Sequence, residues 1–292
     1  MTTPDLSAAD PARTAPGVQV VAHRGSSAAL PEHTLAAYRR ALTEGADAVE
    51  CDVRLTRDRQ LVCVHDRTIA RVSDGGRKVV STLTLAELAA HDFGSWKPVA
   101  DEAPAGPGRP TGDGGAADPE RHSVLRLESL LELVADCGRR VDLAIETKHP
   151  VRYRGAVEAE LVRMLRRFGI QGAPAGEGDP ARPHARLMSF SGLALGRLRD
   201  SAPEFPRVFL FEHPSLLRLW PGAGLPAGAV IAGPGIELVR RKPELVTRLR
   251  AAGHRVHVWT VDRPEDVALC LELGVEAIIT NRPRDVLDQL GR

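Results

Sequence analysis

Short β-branched, apolar runs alternate with helix-period stretches from Val18 to the end of this 292-residue chain. Eight runs have strand character, centred on Val18 to Ala22, Ala48 to Asp52, Val141 to Glu146, Arg186 to Ser189, Val208 to Phe211, Val230 to Ala232, Val256 to Thr260 and Ala277 to Thr280. Between them lie helical patterns such as Leu35 to Glu44, Ala156 to Phe168, Leu193 to Ser201, Pro243 to Ala252 and Pro264 to Leu273, several opened by Pro or closed by Gly. That alternation predicts βα units and a parallel sheet. A ninth run, Leu61 to Val64, follows Asp52 too closely for a crossover helix, so it predicts a hairpin. The chain would pass out through Val53 to Thr56, turn at Arg57 to Gln60 and bring His65 back to the height of Glu50 and Asp52.

Polar clusters sit at or just beyond the ends of these runs: His23-Arg24-Gly25, Glu50-Cys51-Asp52, His65-Asp66 and Glu146-Thr147-Lys148. Strand side chains alternate between faces, so Glu50 and Asp52 point the same way. With Glu146 they offer three carboxylates, a donor set suited to Ca²⁺ or Mg²⁺, with Mn²⁺ a further possibility, rather than Zn²⁺. No Cys or His pair has zinc spacing. His23 and His65 supply imidazoles able to exchange protons near neutral pH, and Arg24 and Lys148 add fixed positive charge. A cation, two acid–base groups and two cationic side chains are what a phosphoryl centre requires, because charge must be neutralised while one oxygen attacks and another leaves. The set therefore predicts a metal-assisted phosphodiesterase.

The order His-Arg-Gly, Pro-Glu-x-Thr, Glu-x-Asp, His-Asp and Glu-x-Lys resembles the glycerophosphodiester phosphodiesterase family. The resemblance runs from Val18 to about Arg284 and is densest over VVAHRGSSAALPEHTLAAYRRALTEGADAVECDVRLTRDRQLVCVHD, with a closing segment VHVWTVDRPEDVALCLELGVEAIITNRP. It implies a TIM (β/α)8 barrel with a small β-hairpin excursion after strand 2, a divalent cation, and release of sn-glycerol 3-phosphate and an alcohol from a small glycerophosphodiester substrate. It implies catalytic roles for His23 and His65, metal ligation by Glu50, Asp52 and Glu146, and substrate contacts by Arg24, Lys148 and Trp259. It favours attack by the glycerol 2-hydroxyl through a cyclic phosphate over direct attack by water. The usual Pro-Glu-Asn-Thr reads Pro31-Glu32-His33-Thr34 here, a departure that bears on the metal preference. The same four residues also read as a helix start, with Leu35, Tyr38 and Leu42 on the buried face. Two rivals are a lysophospholipase D-like hydrolase of larger lipids, which needs an apolar rim, and a catalytically silent barrel module, which would be expected to lose one of these residues.

Length admits one large barrel or two small domains. The resemblance decides for a single domain over residues 18–288, preceded by a disordered arm over 1–17 and carrying a flexible insertion over 98–123, rich in Pro, Gly, Ala and Asp. A second Gly/Pro-rich excursion covers Gln171 to Pro183. A net charge of +1 gives no electrostatic footprint for nucleic acid or an anionic membrane. No run approaches the ~18 to 20 apolar residues of a membrane span, and the amino terminus lacks a secretory signal. Four cysteines without close spacing read as small buried hydrophobes of a reducing compartment, so a cytoplasmic protein without stable membrane association is expected. Headgroup preference and oligomeric state leave no trace in the pattern.

Overall fold

The computed structural model describes residues 17–98, 118–172, 182–213 and 224–292. The expected amino-terminal arm, most of the 98–123 insertion and most of the 171–183 excursion lie outside the described residues. Nine strands form the sheet: β1 (Gln19–His23), β2 (Ala48–Leu55), β3 (Leu61–Cys63), β4 (Asp142–Thr147), β5 (Ala185–Ser189), β6 (Arg207–Phe211), β7 (Ile231–Pro234), β8 (Arg255–Val258) and β9 (Ala277–Thr280). All except β3 run parallel, in the order β1-β2-β4-β5-β6-β7-β8-β9, and β9 pairs back onto β1 to close an eight-stranded barrel. The TIM barrel expected from the sequence is present, as is the hairpin: β3 lies antiparallel to the outer end of β2, with Val53 opposite Cys63 and Leu55 opposite Leu61.

The helices between strands are α1 (Leu35–Thr43), α2 (Leu85–Ala89), α3 (Pro119–His122), α4 (Leu127–Ala135), α5 (Ala156–Arg167), α6 (Gly192–Ser201), α7 (Ile236–Arg241), α8 (Glu244–Ala251), α9 (Pro264–Glu272) and α10 (Pro283–Gln289). The helix expected after Pro31 is α1. Thr34 caps it by accepting from the Ala37 amide, and Tyr38, Ala41 and Leu42 face inward. The tail of the expected flexible insertion departs from expectation. Asp118 accepts from the Glu120 amide and Pro119 supplies the first-turn φ, so residues 118–122 wind into α3. Among the described residues no helix is long and apolar enough to cross a membrane.

Period-two alternation sorts each strand into an outward and an inward set. Outward residues such as Val20, Val49, Cys51, Val53, Leu143, Ile145 and Leu187 meet the helices in the main core. Inward residues, among them Val21, Ala48, Ala144, Met188, Leu210, Ala277 and Ile279, fill the barrel interior. A third cluster joins Val62, Val64, Ile69, Val80, Leu88 and Phe93. The hairpin is thus the start of a larger excursion with its own small core, because a two-stranded hairpin alone buries too little apolar area to stay ordered.

The turn between β1 and α1 is tight. Gly25 has φ +83°, and a Cβ placed there would lie 2.6 Å from the Ala37 carbonyl carbon. Gly25→Ala is expected to lower stability by about 1–3 kcal/mol in urea unfolding, from strain plus backbone collision. Gly76→Ala, at φ +62° with no heavy atom within 4 Å, should cost clearly less. Equal losses in the two variants would remove the collision as a cause.

Candidate active site

Strand register assembles the polar clusters. His23 pairs with Glu50 across β1 and β2, and Asp52 pairs with Glu146 across β2 and β4. All four belong to the inward-facing set, and Lys148, two positions past Glu146 and just beyond β4, reaches back to the same place. Ligand oxygens of Glu50, Asp52 and Glu146 lie within 4.8 Å of one another, and all three residues are buried. Lys148 Nζ is 2.9 Å from Glu146 Oε1 and 3.4 Å from Asp52 Oδ1. Arg24 Nε sits 3.0 Å from Asp52 Oδ2 as an ion pair, and the Arg24 amide donates to Glu50 Oε2. A cleft of about 100 Å³ opens onto His23, Arg24, Glu50, His65, Glu146 and Lys148.

Three buried carboxylates this close cannot all ionise freely. Burial, reinforced by Asp52, pushes Glu146 up to about 8, and the same causes raise Glu50 well above the usual carboxylate range. Asp52 goes the other way: against the upward push of burial, Arg24 and Lys148 hold it ionised. Counting all three carboxylates as charged, Arg24 and Lys148 leave one negative charge uncompensated. An all-oxygen, net-negative triad fits a hard divalent cation, whose binding would displace the protons that Glu146 and Glu50 retain.

The two histidines present the same ring nitrogen to the cleft. His23 Nδ1 is 2.7 Å from Asn281 Oδ1. The Asn281 amide orientation follows from its Nδ2, which donates to Asp262 Oδ2, so Nδ1 of His23 carries the proton and Nε2 is a bare lone pair 3.9 Å from Glu50. Burial and the Arg24 charge lower its pKa to about 3. His65 Nδ1 bonds Asp66 Oδ1 at 2.6 Å, leaving Nε2 toward the cleft, and burial lowers its pKa as well.

An alternating chain of charge ties His65 to the triad. Asp52 pairs with Arg24, Arg24 with Glu32 at 3.0 Å, Glu32 with Arg71 at 2.7 Å, and Arg71 with Asp66 at 2.8 Å. Against the upward push of burial, Arg71 and Arg24 hold Glu32 down to about 2. Arg71 had no signal in the sequence; it lies in the excursion, outside every motif.

His33 occupies a left-handed backbone position, φ 59°, a region where Asn, Asp and His are enriched among residues other than glycine. Its Nε2 lies 2.9 Å from Asp52 Oδ2 and its Nδ1 2.8 Å from the Tyr38 hydroxyl, which donates to the Glu50 carbonyl. Both ring nitrogens are thereby engaged in orienting Asp52. Trp259 lines the cleft, its Nε1 donating to the Gly233 carbonyl, and meets Phe190 edge to face at 5.4 Å. Phe190 also lies 5.8 Å from Lys148 Nζ. Phe190 and Glu212 join the cleft wall from the ends of β5 and β6, a placement no local pattern announces.

The family model for the glycerophosphoryl diester phosphodiesterase family matches residues 23–285. The chain belongs to that family. It is 47% identical to the protein named probable glycerophosphodiester phosphodiesterase 1 of Mycobacterium tuberculosis over 90% of this chain and 89% of that one. It is 30% identical to the glycerophosphodiester phosphodiesterase of Bacillus subtilis, over 91% and 84% of the two chains. The crystal structure of the glycerophosphodiester phosphodiesterase of Agrobacterium tumefaciens superposes with a TM-score of 0.66 at 25% identity, covering 92% of this chain and 98% of that one. Among the described residues, the triad is the one cluster of acids, histidines and cysteines with metal-ligand spacing.

Protonation of the triad sets a pH dependence. Native Glu146 keeps its proton up to about 8, whereas an unfolded Glu releases it near 4.5, so between these values the native state holds more protons and stability falls as pH rises. The lowered pKa values of His23, His33, His65 and His257 act in the opposite sense until the unfolded imidazoles have lost their protons, about one pH unit above 6.5, which leaves about pH 7.5 to 8 as the window where the carboxyl effect is read. In EDTA the thermal midpoint should fall across that window. Added Ca²⁺ or Mg²⁺ should raise it by an increment that grows with pH, and Glu146→Gln should lessen both effects, the raised Glu50 supplying the remainder. A midpoint in EDTA that holds steady or climbs through this window in the unaltered protein would contradict the triad assignment.

Proposed function

We propose that this family member hydrolyses glycerophosphodiesters to sn-glycerol 3-phosphate and an alcohol, with His23 and His65 as the acid–base pair and a divalent cation, Ca²⁺ or Mg²⁺ with Mn²⁺ as a further candidate, as cofactor. The observation that carries the reading is the convergence of two histidines, Glu50, Glu146 and two fixed cations on one small cleft, with the buried Asp52 within 4.8 Å of both glutamates. Glu50, Asp52 and Glu146 would hold the cation, which when bound supplies Lewis-acid neutralisation of phosphoryl charge.

His23 is kept neutral with its Nε2 lone pair exposed, which suits it to take the proton from the attacking glycerol 2-hydroxyl as its oxygen bonds to phosphorus. Asn281 holds that tautomer in place. As the bond from phosphorus to the departing alcohol breaks, His65 delivers a proton to the alkoxide, and Asp66, itself anchored by Arg71, stabilises its cationic form. In the second half-reaction the roles reverse, His65 taking a proton from the water that bonds to phosphorus and His23 returning one to the 2-oxygen as the cyclic phosphate opens. Arg24 and Lys148 compensate charge on the phosphoryl oxygens. Trp259 and Phe190 wall the space for the organic part of the substrate. The unpaired cysteines Cys51, Cys63, Cys137 and Cys270 support a reducing, cytoplasmic setting; Cys137 is partly exposed where the sequence pattern suggested burial.

The exposed rim gives a second reading some support. Phe190 is 40% exposed and Leu193 77% exposed beside the cleft, a small apolar edge that a lysolipid chain could contact.

Glycerol 3-phosphate release from glycerophosphocholine and glycerophosphoethanolamine should vanish in EDTA and return with Ca²⁺, Mg²⁺ or Mn²⁺. His23→Ala and His65→Ala should each lower kcat by about 10²- to 10⁴-fold while leaving cation binding nearly unchanged. Undiminished turnover in both variants would remove the histidines from the mechanism. Faster turnover of a lysolipid than of glycerophosphocholine would favour the second reading.

A further inference from the structure

A cavity of about 420 Å³ lies apart from the catalytic cleft and shares no lining residue with it. It is enclosed by the outer end of β2, the 3-10 turn Val80–Thr82 and the segment between β4 and α5. Its size falls in the range of small-molecule sites, and its inner wall is apolar, with Leu55, Val80, Val157 and the Tyr153 ring. The Tyr153 hydroxyl donates to the Ser81 carbonyl and so fixes the ring as a wall.

Three guanidinium groups border this apolar space: Arg54, Arg67 and Arg152. Among the described residues no carboxylate lines it. Arg67 and Arg152 are exposed, whereas Arg54 is only 9% exposed, and none of the three is in an ion pair among the described residues. Arg152 instead stacks on Tyr153, its guanidinium carbon 5.7 Å from the ring. Arg54 directs Nε and one terminal nitrogen to the His65 carbonyl oxygen, at 3.1 and 2.8 Å. Asp52, Glu146 and Asp66 attract the buried Arg54 guanidinium from a distance, but its hydrogen-bonded partner is a backbone carbonyl, so burial still outweighs these attractions, and Arg67 beside it adds repulsion. An anion with an apolar body relieves both terms.

We propose that this cavity is a second ligand site, which takes an anionic amphiphile: a carboxylate or phosphate monoester head on the three arginines and a short apolar chain against Leu55, Val80, Val157 and Tyr153. The site is distinct from the substrate cleft, and Arg54 joins the two regions because the group that meets the ligand also holds the backbone of His65.

Calorimetric titration of the full chain with n-octyl phosphate and with octanoate tests this, because it reads binding whether or not glycerophosphodiesters are turned over. Saturable binding of at least one is expected, and the tighter of the two names the head group. Arg67→Glu and Arg152→Glu, both exposed positions, should each weaken it by about tenfold or more, and Ser81→Trp, which fills the cavity, should abolish it. Inorganic phosphate should bind far more weakly for want of a chain, and octyltrimethylammonium for its charge. Saturation with sn-glycerol 3-phosphate should leave the titration unchanged. No saturable heat from either amphiphile, unaltered affinity in the charge-reversed variants, equal binding of the ammonium compound, or displacement by glycerol 3-phosphate would each overturn the assignment.

Discussion

Mutual repulsion among Glu50, Asp52 and Glu146 is the constraint around which the upper face of this barrel is organised. Three carboxylates with ligand oxygens within 4.8 Å, removed from water, are tolerable only if something offsets their charge. The structure offsets it in layers. Arg24 and Lys148 keep Asp52 ionised, and Glu146 and Glu50 retain protons that a cation would replace. Hydrogen bonds from His33 and the Arg24 amide then fix the direction in which the oxygens point. The arrangement is costly as a stability device, and a divalent cation on the three carboxylates would relieve that cost.

The same charges propagate order outward. Arg24 serves Asp52 on one side and Glu32 on the other, and Glu32 passes the contact through Arg71 to Asp66 and His65. The excursion that carries His65 rests on a small core of its own, led by Val62, Ile69 and Val80, so it needs such a tether to hold an imidazole in register with the barrel. Left-handed backbone at Arg24, Gly25 and His33 folds the β1–α1 turn tightly enough for this to occur. Those positions sit beside the triad and His23, at the edge of the cleft.

His33 shows how a departure from a family motif can preserve its physics. The usual Asn is at ease in left-handed backbone and can hydrogen-bond a carboxylate; His shares the first property and has two ring nitrogens for the second. Here one meets Asp52 and the other the Tyr38 hydroxyl, so the substitution lengthens the supporting hydrogen-bond chain to the Glu50 backbone without adding a ligand atom.

Much of this was legible in the chain because it is local. Period-two alternation placed Glu50 with Asp52, the eight-residue gap to Leu61 required a hairpin, and Pro31 to Thr34 announced a helix start; each depends on backbone geometry within a few residues. The short helices α7 and α10 carry no periodic signal of their own, because six or seven residues give too few turns. What the sequence could not determine was who meets whom across the barrel. Asn281 reaches His23 from 258 positions away, Phe190 finds Trp259, and Arg71 links Glu32 to Asp66, because strand closure and the excursion's packing bring them together. Ligand identity and spacing along a strand are properties of local sequence; protonation, tautomer and the sharing of one guanidinium between carboxylates depend on burial and distance, which exist only once the barrel has closed.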